Sequence, residues 1–405
     1  MKVKQDFPIF KNKPGLVYLD STATSLKPKS VISKEIEYYS KYSANVKRGI
    51  YNIGEQATKE YEDARKVVAE FINAKSEEII FTRGTTESIN LIAYALGRQI
   101  IGKNDEILTS ITEHHSNFVP WQQLAAESGA VFKVLDIDES GGLQADMNIL
   151  KKIVNKKTKI AALTLVSNTL GTINPIKRIT KDLKALNKDI IVVVDCAQAV
   201  PHMRVDIKNL GCDFIAFSGH KMLGPTGIGV LWGRRELLEN MYPFQFGGEM
   251  IDEVKINTTT YAPSPEKFEA GTPAIAQAIG LAEAIRYLKK IGLKNIEEHE
   301  KHLIDYSIKR LLDNFGDDIT IYGPKKLTKR LGIVSFNLKG IHPHDLASIL
   351  SESNVCVRAG NHCTMPLHTR LGISASCRVS FYLYNEKRDV DELVKALHRA
   401  QKLLL

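Results

Sequence analysis

The chain has 405 residues, of which 43% are hydrophobic and 25% charged, with 27 glycines and 14 prolines. This length exceeds one ordinary domain, and the composition is that of an average globular protein, which excludes collagen-like, low-complexity and wholly disordered chains. The net charge of +9 would suit a polyanionic partner, but the basic residues are scattered in short runs without interleaved aromatics, so solvated loops are favoured over a nucleic-acid surface.

Membrane insertion and secretion are not predicted. The longest aliphatic runs, such as 190–194, fall far short of the ~18 residues that a transmembrane helix needs, and residues 1–10 hold no stretch typical of a signal peptide. The five cysteines are an odd number without C-x-x-C spacing, which argues against a disulfide framework or a cysteine zinc site. We therefore expect reduced thiols, no bound metal, no membrane contact and a cytoplasmic protein.

Short β-rich runs alternate with longer helical patterns from residue 78 onward. Strands are predicted at 79–82, 106–110, 131–137, 160–166, 190–195, 213–217 and 228–232, and helices at 86–99, 121–128, 145–154 and 176–186. Such alternation predicts an α/β fold with a mostly parallel seven-stranded sheet covered by helices on both faces.

The pattern changes after residue 232. An irregular stretch and a long helix near 274–291 are followed by apolar runs at 332–338, 344–352, 355–358 and 377–384 and a final amphipathic helix at 389–404. We therefore predict a large domain over residues 18–290 and a small α+β domain formed by 1–17 and 291–405. Within the latter, 299–302 (His-Glu-Lys-His) is one residue too short for the H-E-x-x-H zinc pattern and is predicted to be an exposed helix face.

Two polar residues follow neighbouring buried strands, at the edge where ligands of open α/β sheets bind. Asp195 ends an aliphatic strand, where it is either an ordinary cap residue or a buried carboxylate that pairs with a cationic ring nitrogen. Lys221 follows the next strand within 218–225, which fits no nucleotide loop. A lone lysine is usually solvated, but beside Asp195 it predicts a Schiff-base amine and hence an enzyme that depends on pyridoxal phosphate (PLP).

Other strand ends carry groups that suit such a cofactor. The segment 83–88 (Arg-Gly-Thr-Thr-Glu-Ser) marks a strand-to-helix junction, where Thr86 is predicted to bind a phosphate with the same N–H groups that an ordinary N-cap uses. His114 would lie over an aromatic cofactor, or be a hydrogen-bonded turn residue.

Cys363 differs from the other cysteines. Four of them lie in or beside apolar runs, where a thiol behaves as a small hydrophobe: Cys196, Cys212, Cys356 and Cys377. Cys363 lies instead in the polar, Gly- and Pro-punctuated loop 358–366, which predicts a nucleophile. Arg378 interrupts an apolar strand and needs an anion, either a substrate carboxylate or an internal acid.

Taken in order, these motifs resemble a PLP-dependent cysteine desulfurase of the SufS-like class, among the fold-type I enzymes of the class V aminotransferase family. The resemblance runs nearly end to end, through 18–21, 83–87, 113–115, 167–168, 195–198, 218–221, 268–273, 358–363 and Arg378. The chain departs from it at Lys47 and Asn361, where relatives commonly have histidine, and at Thr22, where they have alanine.

The resemblance implies a role for each candidate residue. Lys221 would bind PLP and remove the substrate α-proton, Asp195 would pair with the ring nitrogen, Gln198 would bond the ring hydroxyl, and His114 would stack on the ring and act in proton transfer. Further cofactor contacts would come from Thr86, Glu87, Asn168, Ser218 and His220, joined by Thr272 from the partner subunit of a homodimer. Asn168, Arg358, Arg378 and Arg48 would bind the substrate, and Cys363 would attack its sulfur.

The implied reaction converts L-cysteine to L-alanine and leaves a persulfide on Cys363. Its sulfur would pass to an acceptor of the SufE or SufU type, or to a cluster scaffold, in iron–sulfur cluster assembly. A selenocysteine lyase would share the same residues, whereas another PLP-dependent lyase or an aminotransferase would have no use for Cys363. A basic nucleic-acid or scaffold protein would explain the charge without explaining Asp195 and Lys221.

Overall fold

The computed structural model describes residues 3–405. Its strands are β1 (Val17–Tyr18), β2 (Ile79–Thr82), β3 (Glu106–Ser110), β4 (Val131–Leu135), β5 (Thr158–Thr164), β6 (Ile191–Asp195), β7 (Phe214–Ser218), β8 (Gly229–Gly233), β9 (Ile251–Val254), β10 (Thr259–Tyr261), β11 (Ile319–Tyr322), β12 (Ile333–Leu338), β13 (Val355–Cys356), β14 (Arg358–Gly360) and β15 (Ser376–Ser380).

The α-helices are α1 (Pro8–Asn12), α2 (Lys29–Lys41), α3 (Asn52–Ile72), α4 (Thr85–Ile92), α5 (Arg98–Ile100), α6 (Val119–Ser128), α7 (Met147–Ile153), α8 (Ile176–Leu186), α9 (Ile207–Leu210), α10 (Arg235–Asn240), α11 (Ile275–Ile291), α12 (Leu293–Phe315), α13 (Pro343–Glu352), α14 (Met365–Arg370) and α15 (Lys387–Leu404). In the described part of the chain, none of these helices is long and apolar enough to cross a membrane.

Seven strands form one sheet in the order β2-β8-β7-β6-β5-β3-β4. The strands from β7 to β4 run parallel, whereas β8 is antiparallel to both of its neighbours. The predicted α/β fold with a mostly parallel seven-stranded sheet is therefore confirmed. Because β5, β6 and β7 are parallel, their carboxyl ends meet at one edge of the sheet.

The aliphatic strands of this sheet are buried on both faces. In β6, Val192 and Val194 belong to one core cluster, and Val193 belongs to another. This alternation is what the period of two in a strand requires when helices cover both faces. Continuous apolar runs therefore form the central strands, and each polar residue that ends such a run is held at the edge.

A second sheet lies in the carboxyl-terminal part of the chain, with the antiparallel order β11-β12-β15-β14. Its core cluster includes Val17 and Leu19, because β1 pairs in parallel with β13. The predicted division into domains at residue 290 stays a prediction, and residues 1–2 of its first segment lie outside the described residues.

Several boundaries differ from the predicted ones. The helix predicted at 86–99 is α4, then a π-helical turn over Ala93–Gly97, then α5. The run 355–358 is divided between two sheets, since β13 pairs with β1 and β14 pairs with β15. Hydrophobic periodicity does not predict the π-helical turn or the division of 355–358 between two sheets, because both depend on the neighbours that each segment packs against.

The exposed face predicted at 299–302 was wrong at one position. Glu300 is buried and its Oε1 lies 2.7 Å from Nδ1 of His202. The helical period explains the error, because Glu300 lies one turn from Ile296 and Ile304 on the buried stripe of α12.

A buried ion pair joins α3 to the segment before α11. Arg65 donates two hydrogen bonds to the carboxylate of Glu269, at 2.7 and 2.8 Å, and both side chains are nearly inaccessible. Glu269 also accepts a hydrogen bond from the amide of Phe81 at 2.7 Å. The pair therefore fixes the segment that carries Thr272.

Glu269→Ala is expected to lower the free energy of unfolding by about 3–5 kcal/mol, because the buried Arg65 guanidinium loses its buried, doubly hydrogen-bonded partner and keeps only Glu62 and the Ile79 carbonyl. Glu62→Ala is the matched control: Glu62 contacts the same guanidinium at 3.1 Å, but its side chain is 38% exposed against 5% for Glu269, so its loss should cost at most about 1 kcal/mol. Urea unfolding of both variants tests this, and equal losses would contradict it.

Candidate active site

The candidate site is a cleft of about 280 Å³ where β5, β6 and β7 end. It is lined by Thr22, Ala23, Thr85, Thr86, His114, Ser116, Asn168, Asp195, Ala197, Gln198, Ser218, His220, Lys221, Arg358, His362, Cys363 and Arg378. A groove of about 410 Å³ adjoins it along Thr86 and Ser116 but lacks both Asp195 and Lys221. The smaller cleft is therefore the candidate active site.

Asp195 and Lys221 come together as their neighbouring strands predict. Asp195 is buried, and its Oδ1 accepts a hydrogen bond from the amide of Ala197 at 2.8 Å. Burial raises the pKa of Asp195, an effect that the Lys221 charge opposes. Burial likewise lowers the pKa of Lys221, opposed by Asp195. Each group thus favours the charged state of the other, and Lys221 is partly prepared to act as a neutral amine.

The peptide before Lys221 is anchored by the amino-terminal segment of the chain. The carbonyl of His220 accepts hydrogen bonds from Ser25 N and Oγ, Thr24 Oγ1 and Lys27 Nζ, at 2.9–3.1 Å. Burial lowers the pKa of Lys27 to about 8. These anchors were not predicted, because about 195 residues separate them from His220 in the sequence.

His114 is held as a neutral ring. Its Nδ1 accepts a hydrogen bond from the amide of Ser116 at 3.1 Å, and burial together with the Lys221 charge lowers its pKa to about 3. Glu113, next to it, is completely buried, which raises the pKa of this carboxyl to about 8. Its oxygens contact Ser110 Oγ, Asn117 Nδ2 and the amide of Thr164 at 2.5–3.0 Å. The hydrogen bonds of Glu113 therefore fix the backbone that carries His114.

Hydroxyl groups gather at the amino terminus of α4. Thr85 donates its amide to Ser218 Oγ at 2.9 Å, and Thr86 Oγ1 lies 2.7 Å from Ser116 Oγ. The N-cap residue Gly84 has no side chain to cap α4, so apart from the Thr85 amide, which donates to Ser218, the N–H groups of the first turn can bind an anion. Thr86, Ser218 and His220 all line this cleft, and their predicted contacts with a phosphate stay a prediction. Thr85 was missed, although it adjoins Thr86 in the sequence and shares its chemistry.

Two arginines converge at the opposite end of the cleft. Arg378 donates to the carbonyl of Asn168 at 2.9 Å and to Asp20 Oδ1 at 3.2 Å, and Arg358 pairs with the same Asp20 at 3.1 Å. The internal acid that Arg378 needs is therefore present. Nε of Arg378 is nevertheless buried without a partner, so one donor is left for a ligand.

Cys363 is exposed to this cleft in a conformation that its loop imposes. His362 and Cys363 both have positive φ, 51° and 57°, which non-glycine residues adopt only when their surroundings enforce it. Asn168 Nδ2 donates to the His362 carbonyl at 2.7 Å, and the His115 amide donates to the Cys363 carbonyl at 2.8 Å. Asn361 Oδ1 accepts the Cys363 amide at 3.0 Å. The thiol is thus presented by a pinned loop.

His115→Ala is expected to loosen this loop, because Nε2 of His115 also accepts a hydrogen bond from the Met365 amide at 3.1 Å. Loss of one such bond, worth about 1 kcal/mol, should raise amide exchange in residues 361–366 roughly fivefold. Hydrogen–deuterium exchange with mass spectrometry measures this. His302→Ala, an exposed change on α12, should leave the same peptide unaltered, and unchanged exchange in His115→Ala would refute the clamp.

Three predicted site residues lie away from this cleft in the single chain. Thr272 and Glu87 line a different cleft, together with Arg83, to which Glu87 is paired at 3.2 Å. Arg48 is 69% exposed and pairs with Glu249 at 3.1 Å. Their predicted contacts with cofactor or substrate stay predictions.

The residues present fit PLP. Gln198 donates through Nε2 to the Thr22 carbonyl, which leaves Gln198 Oε1 and Thr22 Oγ1 buried in the cleft without partners. Such atoms suit a ring hydroxyl, while Asp195 suits a ring nitrogen and Lys221 an aldehyde. The amino terminus of α4 suits the phosphate. Thr22 thus adds a polar atom to this set.

Comparison with known proteins identifies the family of the chain. The sequence pattern of the family described as Aminotransferase class-V matches residues 17–393. A probable cysteine desulfurase of Halalkalibacterium halodurans is 49% identical over 99% of this chain and 98% of its own length. A cysteine desulfurase of Haloferax volcanii is 45% identical over 99% and 96%.

Solved structures give the same result. The apo cysteine desulfurase of Thermococcus onnurineus NA1 superposes with a TM-score of 0.94 at 42% identity, covering 99% of this chain and 98% of that one. The cysteine desulfurase CsdA of Escherichia coli, in its S-sulfonic acid form, gives 0.91 at 36% identity over 100% and 98%. The chain therefore belongs to the class V aminotransferase family and, within it, to the PLP-dependent cysteine desulfurases.

Proposed function

We propose that the protein takes sulfur from L-cysteine, releases L-alanine and carries the sulfur on Cys363 as a persulfide. The observation that carries this proposal is the placement of an exposed cysteine in the same cleft as the buried Asp195 and the half-buried Lys221. An aminotransferase or an ordinary lyase needs the acid and the lysine but no thiol beside them.

Different residues of the cleft would bind the substrate, transfer its proton and accept its sulfur. Arg378 and Asn168 would hold the substrate carboxylate, Lys221 would take the α-proton, and His114, a neutral ring, would donate or accept a hydrogen bond in the same cleft. PLP, held by the residues named above, supplies an electron sink when it is bound. The Cys363 thiolate attacks the substrate sulfur, so that an S–S bond forms as the substrate C–S bond breaks and the remaining carbon accepts a proton.

The test uses PLP-loaded protein with L-cysteine and no reductant. Peptide mass spectrometry should find one extra sulfur on the Cys363 peptide and none on those of Cys356 or Cys377, with alanine in solution. An unmodified Cys363 peptide and no alanine would reject the proposal.

We further propose a homodimer in which Thr272 completes the partner's site. In one chain Thr272 is remote from Lys221, as the two separate clefts indicate. Apolar side chains are also exposed on the hairpin β9–β10 and near it: Phe246, Val254 and Ile256. Their exposure in the isolated chain supports a subunit interface on this side.

Mixing two inactive variants tests this arrangement. Lys221→Ala removes the amine, and Thr272→Ala weakens the phosphate site. In a mixed dimer, the Lys221→Ala subunit would lend its intact Thr272 to the site that retains Lys221. We therefore expect equal amounts of the two variants, mixed and refolded, to recover about a quarter of the unmodified activity, because random pairing makes half of the dimers mixed and each of these has one intact site of two. No recovery in verified mixed dimers would contradict sharing.

The persulfide sulfur is proposed to pass to a protein of the SufE or SufU type, or to a cluster scaffold, for iron–sulfur cluster assembly. We propose the cytoplasm as the site of this transfer. In support, all five cysteines are free, as a reducing compartment requires, and a persulfide survives there only if it is passed on directly. Transfer of labelled sulfur from Cys363 to a purified acceptor measures it.

A further inference from the structure

Two buried polar atoms at the substrate end of the cleft have no hydrogen-bond partner. They are Nδ1 of His362 and Nε of Arg378, whose residues are only 6% and 3% exposed. Both residues line the cleft that holds Lys221 and Cys363. Buried polar atoms in native proteins are almost always paired, so these two atoms, on residues that line one cleft, are candidates to pair with a bound ligand.

The hydrogen bonds behind His362 determine where its proton lies, beginning at His368. Nδ1 of His368 is 3.1 Å from the carbonyl oxygen of Thr364. A carbonyl only accepts, so this nitrogen carries the proton and donates. Burial lowers the pKa of His368, which keeps the ring neutral. Nε2 of His368 is therefore an acceptor.

Ser376 passes this constraint to His362. Its Oγ lies 3.1 Å from Nε2 of His368 and 3.0 Å from Nε2 of His362. The single hydroxyl proton is given to His368, so the bond to His362 must be donated by the imidazole. His362 consequently carries its proton on Nε2, and its Nδ1 presents a bare lone pair.

This lone pair is not neutralised by protonation. Burial, with the positive charge of Arg378 beside it, lowers the pKa of His362 to about 2. The ring is therefore a fixed acceptor rather than a base, and Arg378 Nε–H is a fixed donor. The missing group must supply one acceptor and one donor.

We propose that His362 determines specificity for the substrate side chain by accepting a hydrogen bond from the thiol of bound L-cysteine, while Arg378 Nε binds its carboxylate. The inference rests on the proposed function and adds a recognition group to it. L-Cysteine supplies both missing partners, a carboxylate acceptor and an S–H donor. Since His362 and Cys363 both line this cleft, a thiol bound by His362 shares the cleft with the nucleophile.

Ligand discrimination tests the inference in PLP-loaded Cys363→Ala protein, where sulfur transfer is blocked and the absorbance change on ligand binding reports affinity. The ligands are L-cysteine and L-2-aminobutyrate, in which a methyl group replaces the thiol. We compare the parent with added His362→Phe, Ser376→Ala or Ser335→Ala. Ser335, on the adjacent strand β12, is the matched control. Its buried hydroxyl donates to the Thr169 carbonyl oxygen at 2.6 Å and does not contact His362.

The ratio of the two dissociation constants should favour L-cysteine in the parent. His362→Phe should reduce that preference about fivefold to tenfold, which is the effect of one lost hydrogen bond. Ser376→Ala should reduce it at least about twofold, because without this hydroxyl the proton of His362 can lie on either ring nitrogen. Ser335→Ala should keep the parent ratio. An unchanged ratio in folded Ser376→Ala and His362→Phe would overturn the inference, even if His362→Phe weakened both ligands equally.

Failure of the inference can be separated from failure of the function. If the unmodified enzyme forms alanine and the Cys363 persulfide while these ratios stay constant, only the role of His362 is rejected. If the unmodified enzyme forms neither, the proposed function fails with it. Thermal melting confirms that each variant is folded, and Ser376→Ala decides the question should His362→Phe not fold.

Discussion

Cys363→Ala is expected to lower alanine release from L-cysteine by at least about 1,000-fold, while the protein still binds PLP and the amino acid. The loss is large because no other described thiol reaches the cleft: Cys356 is half-buried outside it, and three further cysteines are buried. The binding residues at both ends of the cleft are untouched. Alanine release and absorbance titration with L-cysteine measure the two properties separately.

Cys356→Ala serves as the matched control for this change. It lies seven residues earlier, in β13, and removes a thiol of the same size from the same part of the chain. Its activity should stay within about twofold of the unmodified enzyme, as for a substitution that leaves the reacting groups in place. Equal losses in the two variants, or full activity in Cys363→Ala, would disprove Cys363 as the sulfur carrier.

The positions of Asp195 and Lys221 could be predicted because the sequence next to each residue identifies the strand that precedes it. Asp195 is the last residue of the largely buried strand β6, and Lys221 lies three residues after the end of the buried strand β7. Hydrophobic patterning identifies such strands, and parallel packing then brings their carboxyl ends to one edge. The sequence pattern therefore predicts that the carboxylate of Asp195 and the amine of Lys221 lie close together.

The supports of the site could not be predicted in the same way. Asp20 holds both Arg358 and Arg378, which lie 338 and 358 residues away in the sequence. The Ser376 hydroxyl that fixes His362 occurs in a strand like many others. Such contacts follow from tertiary packing, so no pattern within one segment records them. Glu300 shows the converse error, since a charged side chain was assigned to solvent and is buried beside His202.

Lys221→Ala is expected to lower alanine release by about 10,000-fold, because one change removes both the covalent anchor for PLP and the base that takes the α-proton. Borohydride treatment should fix PLP to the Lys221 peptide in the unmodified enzyme and to no peptide in the variant. Lys208→Ala, an exposed change on α9, is the control and should match the unmodified enzyme in both measurements.

Rescue by a free amine distinguishes a missing base from a collapsed site. Methylamine fits the space that the lysine chain leaves and should restore a small part of the activity of Lys221→Ala. Burial lowers the pKa of Lys221, so its amine is neutral at a lower pH than a free alkylamine, which titrates near the ordinary lysine value of ~10.4. Rescue should therefore keep rising with pH above the point where the unmodified enzyme levels off. A rescue profile with the same pH dependence as the unmodified enzyme would show that another group controls the proton.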